Sequence, residues 1–404
     1  MSLVVNNPPM SDRLRRIVRP LWRPLSSLIS RARQRFRVET SVQRLEYRAA
    51  RLVFWRRRYP VGDRFLFVHK FKDLSDHLLF AMLLGMQRLY SGIDCLSFYR
   101  YEKPRDNPAL GAKKFIRGVE RYCPGVIFAY DSPLSIDEMR FVTSRGIRLA
   151  SNTVGLDSFY CGGAASQDEA FNILRGYAWY FVNHAPHVPR LRAEGVNAFP
   201  LPMAYEPRWF HPLEGVTPRY DVLFVGDIHS PLNAGRRALL EHVSRYFRVA
   251  VLSYKPTGLP HIEELPAEVN PYRLNRILNQ AKIVLGSDRV GDIGSLNRIP
   301  GQFIFYDDEF YLRQRAYIAI GAGCCYVVER HPEISRQFEE GREIILWSDY
   351  AELCDQLDYY LAHDDERRAI GQAGHQRALM NYTVEHLLHF VLETMGLLPR
   401  QADG

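Results

Sequence analysis

The chain has 404 residues, 47% hydrophobic and 24% charged, which suits two domains of roughly 150 to 200 residues with cores of their own and excludes a disordered chain. Its net charge of +8 is unevenly held: residues 1–60 carry 15 Arg against Asp12, Glu39 and Glu46, or +12, while the other 344 residues carry 38 basic and 42 acidic groups, or −4. A basic arm on a near-neutral body argues against nucleic acid as the partner of the whole protein, and the longest apolar run, Leu78 to Met86, falls far short of the roughly 20 residues that span a bilayer.

The arm, residues 1–60, reads as two amphipathic helices. Leu14, Val18, Leu21, Leu25, Leu28 and Ala32 recur in steps of four and three, with Arg on the other faces and Pro20 and Pro24 interrupting. Val42, Leu45, Ala49 and Leu52 mark a second stripe that stops at Tyr59-Pro60. No charged start leads into an apolar core and cleavage site, so a cytoplasmic location is expected. Six Cys without a CxxC pair are expected to be reduced and buried.

From Asp63 short apolar runs alternate with helical stretches. Strands are expected at 64–69, 92–99, 125–131, 147–151, 177–183 and 197–201, with helices at 74–90, 111–122, 136–146 and 187–195. Five prolines between Pro200 and Pro218 read as a linker. A second alternating series follows, with strands at 220–226, 249–253, 282–286 and 324–329, and helices at 233–247, 272–280, 309–320, 350–361, 366–380 and 384–395. Such alternation implies βαβ units and parallel sheets. The expected fold is α/β, with a Rossmann-like domain over 61–205, a proline-rich linker over 206–218, a second Rossmann-like domain over 219–382, and a C-terminal helix and tail over 383–404. Two such domains face each other across a cleft at the carboxyl ends of their strands.

Several motifs carry a resemblance. Tyr220-Asp-Val-Leu-Phe-Val-Gly-Asp227, the stretch Arg313 to Gly323, Phe338-Glu-Glu-Gly-Arg-Glu343 and Glu366-Arg-Arg-Ala-Ile-Gly-Gln-Ala-Gly374 occur in this order. Upstream stand Cys123-Pro-Gly-Val-Ile-Phe-Ala-Tyr-Asp131 and Arg192-Ala-Glu-Gly-Val-Asn197. In order and spacing the chain resembles GT-B glycosyltransferases of the spore-maturation-protein-B-like group, related to the group 1 glycosyltransferases. The resemblance implies transfer of a sugar from a nucleotide-sugar donor held by the second domain to a glycan, lipid-linked or protein acceptor held by the first, with no metal and no cofactor beyond the donor as substrate.

A leaving diphosphate needs cations or backbone N–H groups. Arg315 matches the family's arginine ahead of the aromatic Tyr317, and Arg313 lies two residues earlier; a solvated helix face is the alternative for both. Gly321 and Gly323 offer close backbone approach to a ligand, or a plain helix C-cap. Gly226 and Asp227, with His229 behind them, form a strand-to-helix turn of the kind that binds anions, although no full GxGxxG is present. One position departs from the family: the acidic residue that would bind the donor ribose is replaced by Ile318. Glu329, at the end of the next strand, or Glu333 is the substitute this leaves. His69 and Asp131, at the ends of strands in the first domain, are candidates for the base that takes the acceptor proton, and capping or structural hydrogen bonding is the alternative for each. Asp307-Asp308-Glu309 reads as helix N-terminal charge, and His184-Ala-Pro-His187 lacks partners at zinc spacing.

Two further functions share the same architecture, a nucleotide-sugar epimerase and a catalytically degenerate glycan- or nucleotide-binding protein. The apolar stripes and Arg-rich faces of residues 10–58 suit either an anionic membrane surface, which would put the protein peripherally at the inner face of a membrane, or a second subunit.

Overall fold

The computed structural model describes residues 64–69, 77–89, 94–99, 108–130, 134–153, 158–160, 166–183, 185–201, 203–229, 234–267, 270–287, 302–304 and 313–398. The N-terminal arm, Asp131, His184 and the 307–309 run lie outside them.

The first half contains β1 (Arg64–His69), α1 (His77–Leu89), β2 (Asp94–Tyr99), α2 (Pro108–Tyr122), β3 (Val126–Tyr130), α3 (Ile136–Thr143), β4 (Arg148–Thr153), β5 (Ser158–Tyr160), α4 (Gln167–Leu174), β6 (Trp179–Val182), α5 (Val188–Ala193) and β7 (Ala198–Pro200). The second half contains β8 (Tyr220–Val225), α6 (Ala234–Val243), β9 (Val249–Ser253), β10 (Ile262–Pro266), α7 (Pro271–Asn279), β11 (Ala281–Leu285), β12 (Gln302–Ile304), α8 (Gln314–Gly321), β13 (Cys325–Glu329), α9 (Pro332–Ser335), β14 (Ile345–Trp347), α10 (Tyr350–Ala362), α11 (Asp364–Asn381) and α12 (Val384–Thr394).

Each half is built on a six-stranded parallel sheet, ordered β2-β1-β3-β4-β6-β7 and β10-β9-β8-β11-β13-β14. Counted from its own first strand, the second sheet runs 3-2-1-4-5-6, the Rossmann order, so its connections reverse direction between β8 and β11. Strands such as Val126–Tyr130 are apolar and buried at every position because helices cover both faces of the sheet. Local chemistry sets the helix starts: Ser135 and Glu138 form a capping box on α3, and Asn270 caps α7.

One apolar cluster runs through both halves, from Phe67 and Phe128 of the first sheet through Tyr205 and Trp209 to Leu223 and Val284 of the second. The outer face of each sheet has its own cluster. Helix α12 closes the circuit: it ends the second half in sequence but packs against α1 of the first, where Gly85 leaves only 2.6 Å between a would-be Cβ and Leu388. The two crossings between halves lie side by side, with Tyr205 N donating to Tyr382 O at 3.0 Å and Val384 N to Tyr205 O at 2.9 Å.

The proline-rich stretch is held along α7. Asn275 Nδ2 and Asn279 Nδ2 donate to His211 O at 3.0 and 3.2 Å, and Leu213 N donates to Asn279 Oδ1 at 2.7 Å. Two asparagines one turn apart thus stand in for a strand edge. Helix α4, strands β10 and β14 and the small antiparallel pair β5 and β12 are elements beyond those expected from local patterns. Among the cysteines, Cys324 and Cys325 are buried as expected, whereas Cys123 is exposed. It follows the last residue of α2 with φ +46°, a turn position that faces solvent. No helix among the described residues is long and apolar enough to cross a membrane.

Candidate active site

The carboxyl edge of the second sheet gathers the polar groups. The apolar strand β8 ends at Gly226, where φ is +153°, and a Cβ there would lie 2.7 Å from Arg315 Nη1. Glycine is therefore required for Arg315 to lie over the turn. Arg315 comes from the first turn of α8, whose N-cap is Arg313, and its guanidinium also stands 5.5 Å from the Phe224 ring centroid.

Ser287, just past β11, is the hub of the cluster. Its carbonyl accepts from Arg315 Nη2 and, at 3.2 Å, from Arg236 Nε. Its hydroxyl donates to Glu329 Oε1 at 3.1 Å. Arg236, in the first turn of α6 and only 3% exposed, also donates from Nη1 to Asp227 O at 2.9 Å. Asp227 Oδ1 in turn accepts from His229 N at 3.1 Å, and the exposed His229 ring meets Lys255 O. Burial, then the charge of Glu329, pushes the Tyr350 phenol up.

Two guanidiniums that converge on one neutral carbonyl, beside the N-terminus of α8, make a site suited to a polyanion. A cavity of about 30 Å³ opens beneath Arg315, walled by Val225, Leu274, Leu285, Ile318 and Tyr326. The space beside Ile318 is thus apolar among the described residues, and Arg315 is the charged group at its rim.

The structure brings Gly226, Asp227, His229, Arg315 and Glu329 together, with Arg313 at the start of the same helix. Gly321, Gly323 and Tyr317 lie elsewhere. Gly321 ends α8, where a Cβ would stand 2.4 Å from the Tyr205 ring, and Gly323 at φ +81° packs on Pro212. Both sit at the opposite end of the helix from Arg315, and their small size serves the chain crossing. Tyr317 points away from the edge, its hydroxyl donating to Gln337 Oε1 and its ring 5.3 Å from that of Tyr382. Glu329 extends the β13 face of Cys325 and Val327, whereas Ile318 packs on the face of Tyr326 and Val328. It therefore reaches the cluster from the other side of the sheet.

At the carboxyl edge of the first sheet, His69 is paired in register with Tyr99 and Tyr130. In the same row stands Asn152, 1% exposed, with no hydrogen-bond partner for either side-chain atom among the described residues. Arg236, Ser287 and Asn152 escape the sequence reading. Arg236 is half of an Arg-Arg pair on a helix that looks solvated, and only its tertiary contacts turn it inward.

Residues 236–393 match the family described as glycosyl transferase-like. No curated protein matches the chain by sequence. Among solved structures, sucrose-phosphate synthase from Thermosynechococcus elongatus is 11% identical with a TM-score of 0.58 and covers 83% of this chain and 99% of its own. HepE from Anabaena, solved with UDP, is 12% identical with a TM-score of 0.55 and covers 83% and 100%. A UDP-N-acetylglucosamine 2-epimerase from Listeria monocytogenes, described as putative, gives 10% and 0.51 over 83% and 96%. At these identities the likeness is one of fold.

Proposed function

We propose that this chain, a GT-B-fold protein whose residues 236–393 match the glycosyl transferase-like family, transfers a sugar from a nucleotide-sugar donor to a glycan, lipid-linked or protein hydroxyl. The observation that carries the reading is the Arg315 guanidinium laid over Gly226 at the point where the second sheet reverses its connections. When the bond between the anomeric carbon and the β-phosphate oxygen breaks, the electron pair stays on the departing nucleoside diphosphate. A fixed cation at that spot stabilises the charge as it develops.

With Arg315 supplying that charge, the reaction runs without a metal and persists in EDTA. The acceptor hydroxyl loses its proton to His69, whose backbone ends β1 at the edge of the first sheet, or to Asp131. Of the two variants His69→Ala and Asp131→Asn, the one that removes the base lowers kcat by about 100-fold or more. The +12 charge of residues 1–60 supports peripheral attachment of the protein to an anionic membrane surface.

Release of nucleoside diphosphate from UDP-, GDP-, ADP- and dTDP-sugars tests the reading. The wild type is expected to turn over at least one donor, and Arg315→Ala to lose about 100- to 1000-fold in kcat/KM, as expected when one preorganised charge donor is removed. No release from any donor, with nucleotide still bound, would leave a nucleotide-binding protein. A rearranged sugar formed without acceptor would make the chain an epimerase, the reading that the Listeria likeness keeps in view.

A further inference from the structure

The two guanidiniums at Ser287 are not equivalent. Arg315 is partly exposed and donates from Nη2 to the Ser287 carbonyl. Arg236 is buried and ties together two turns that are 60 residues apart in sequence, through Asp227 O at 2.9 Å and Ser287 O at 3.2 Å. These turns end β8 and β11, the neighbouring strands on either side of the reversal.

We propose that Arg236 is the positioning residue of the donor site: it fixes the geometry of the diphosphate-binding turns without touching the phosphate, and Arg315 is the cation that turns to the ligand. The inference rests on the nucleotide-sugar reading above. Its physical basis is the planarity of the peptide unit. A trans peptide points its N–H opposite to its C=O, so drawing the Asp227 carbonyl onto Arg236 turns the Ile228 N–H away from that side chain and out of the interface between α6 and the sheet. The same guanidinium holds Ser287, whose hydroxyl is committed to Glu329. Both strand-end turns are thus set in one orientation before any ligand arrives. A pre-formed anion site of this kind avoids the cost of ordering two loops on binding.

The planar guanidinium matters as well as its charge. Two carbonyls reached from Nε and Nη1 match the fork of arginine, and a lysine ammonium is a single point on a flexible stem. Arg236→Lys therefore keeps the charge and loses the tie. Arg236→Met keeps the buried aliphatic length and loses both.

The test is calorimetric binding of UDP, GDP, ADP and dTDP to full-length wild type, Arg236→Met, Arg236→Lys and Arg315→Lys, at a temperature where each is folded by circular dichroism. The expected result is a dissociation constant raised about 10- to 100-fold in both Arg236 variants, which corresponds to two hydrogen bonds of about 1 kcal/mol or more each, with a smaller loss in Arg315→Lys. Wild-type affinity in Arg236→Met would make the residue merely structural and overturn the proposal. Wild-type affinity in Arg236→Lys would overturn it in favour of charge alone. If neither variant folds, hydrogen exchange of the wild type decides: saturating nucleotide should add protection to the amide of Ile228, and an unchanged exchange rate there sinks the idea. Failure of the wild type to bind any of the four nucleotides would instead remove the donor-site reading itself.

Discussion

A buried amide that makes no hydrogen bond costs about 1–3 kcal/mol, and Asn152, 1% exposed with both side-chain atoms unpartnered among the described residues, is in that position. Asn152→Leu, nearly isosteric and apolar, is expected to raise Tm by about 2–12 °C, given about 2–4 °C per kcal/mol for domains of this size; a fall in Tm by scanning calorimetry would refute it. Asp364 gives the pH dependence. The hydrogen bond from Arg367, then its charge, holds the Asp364 carboxyl below the usual value of 3.8. A lowered folded pKa means stability that is present above the unfolded value and lost as pH falls through the folded one. Asp364→Asn is therefore expected to lower Tm slightly at pH 7, and the difference should shrink and close as pH falls below the usual carboxylate range when melting curves are compared. At the same scale, burial pushes the Cys325 thiol up to about 12, so alkylation in the folded state should reach the exposed Cys123 and spare Cys325.

Between elements, glycines set the closest approaches, and their surroundings decide what an added methyl does. In α11 a Cβ on Gly371 would stand 2.4 Å from Gly323 O, a backbone atom that cannot move without shifting the start of β13. In α1 a Cβ on Gly85 would meet Leu388 Cδ1 at 2.6 Å, the tip of a side chain that has other rotamers. Alanine gains about 1 kcal/mol of helix propensity at either position. The gain is expected to offset the strain at Gly85 and to be overwhelmed at Gly371, so thermal melts should place Gly85→Ala near the wild type and Gly371→Ala several degrees below it. Equal losses would show that α12 is as rigid against α1 as α11 is against β13. The same scale shows where sequence patterns work. Long apolar strands with both faces covered and helices with a repeating stripe are legible, whereas β14 has only three residues and β10 is an edge strand with exposed positions. The β5–β12 pair joins segments more than 140 residues apart, and no local signal marks it.

For the molecule as a whole, the +12 arm and the −4 body have separate tasks in the reading given above. Full-length protein is expected to float with vesicles containing anionic lipid and to be released by high salt, since interactions between exposed charges are screened over about 3 Å at 1 M. A shortened chain beginning at Tyr59 should stay at the bottom of the gradient while still releasing nucleoside diphosphate. Equal flotation of both would move the arm's role to contacts with a second subunit. The paired crossings at Tyr205 and Thr383, with α12 returned to α1, join the halves through backbone hydrogen bonds and a shared apolar cluster.

The sequence by itself determined the alternation of strand and helix, the division of charge and the candidacy of Gly226, because periodicity, composition and a strand-ending glycine are local properties; Arg315 became a candidate through the family resemblance, by its place ahead of Tyr317. Only the tertiary structure decided which side chains meet. Strand order placed Asp227 beside Ser287, the direction of α6 turned Arg236 inward, and the alternation of faces along β13 put Glu329 across the sheet from Ile318. Those choices depend on contacts between residues tens of positions apart, and no local pattern encodes them.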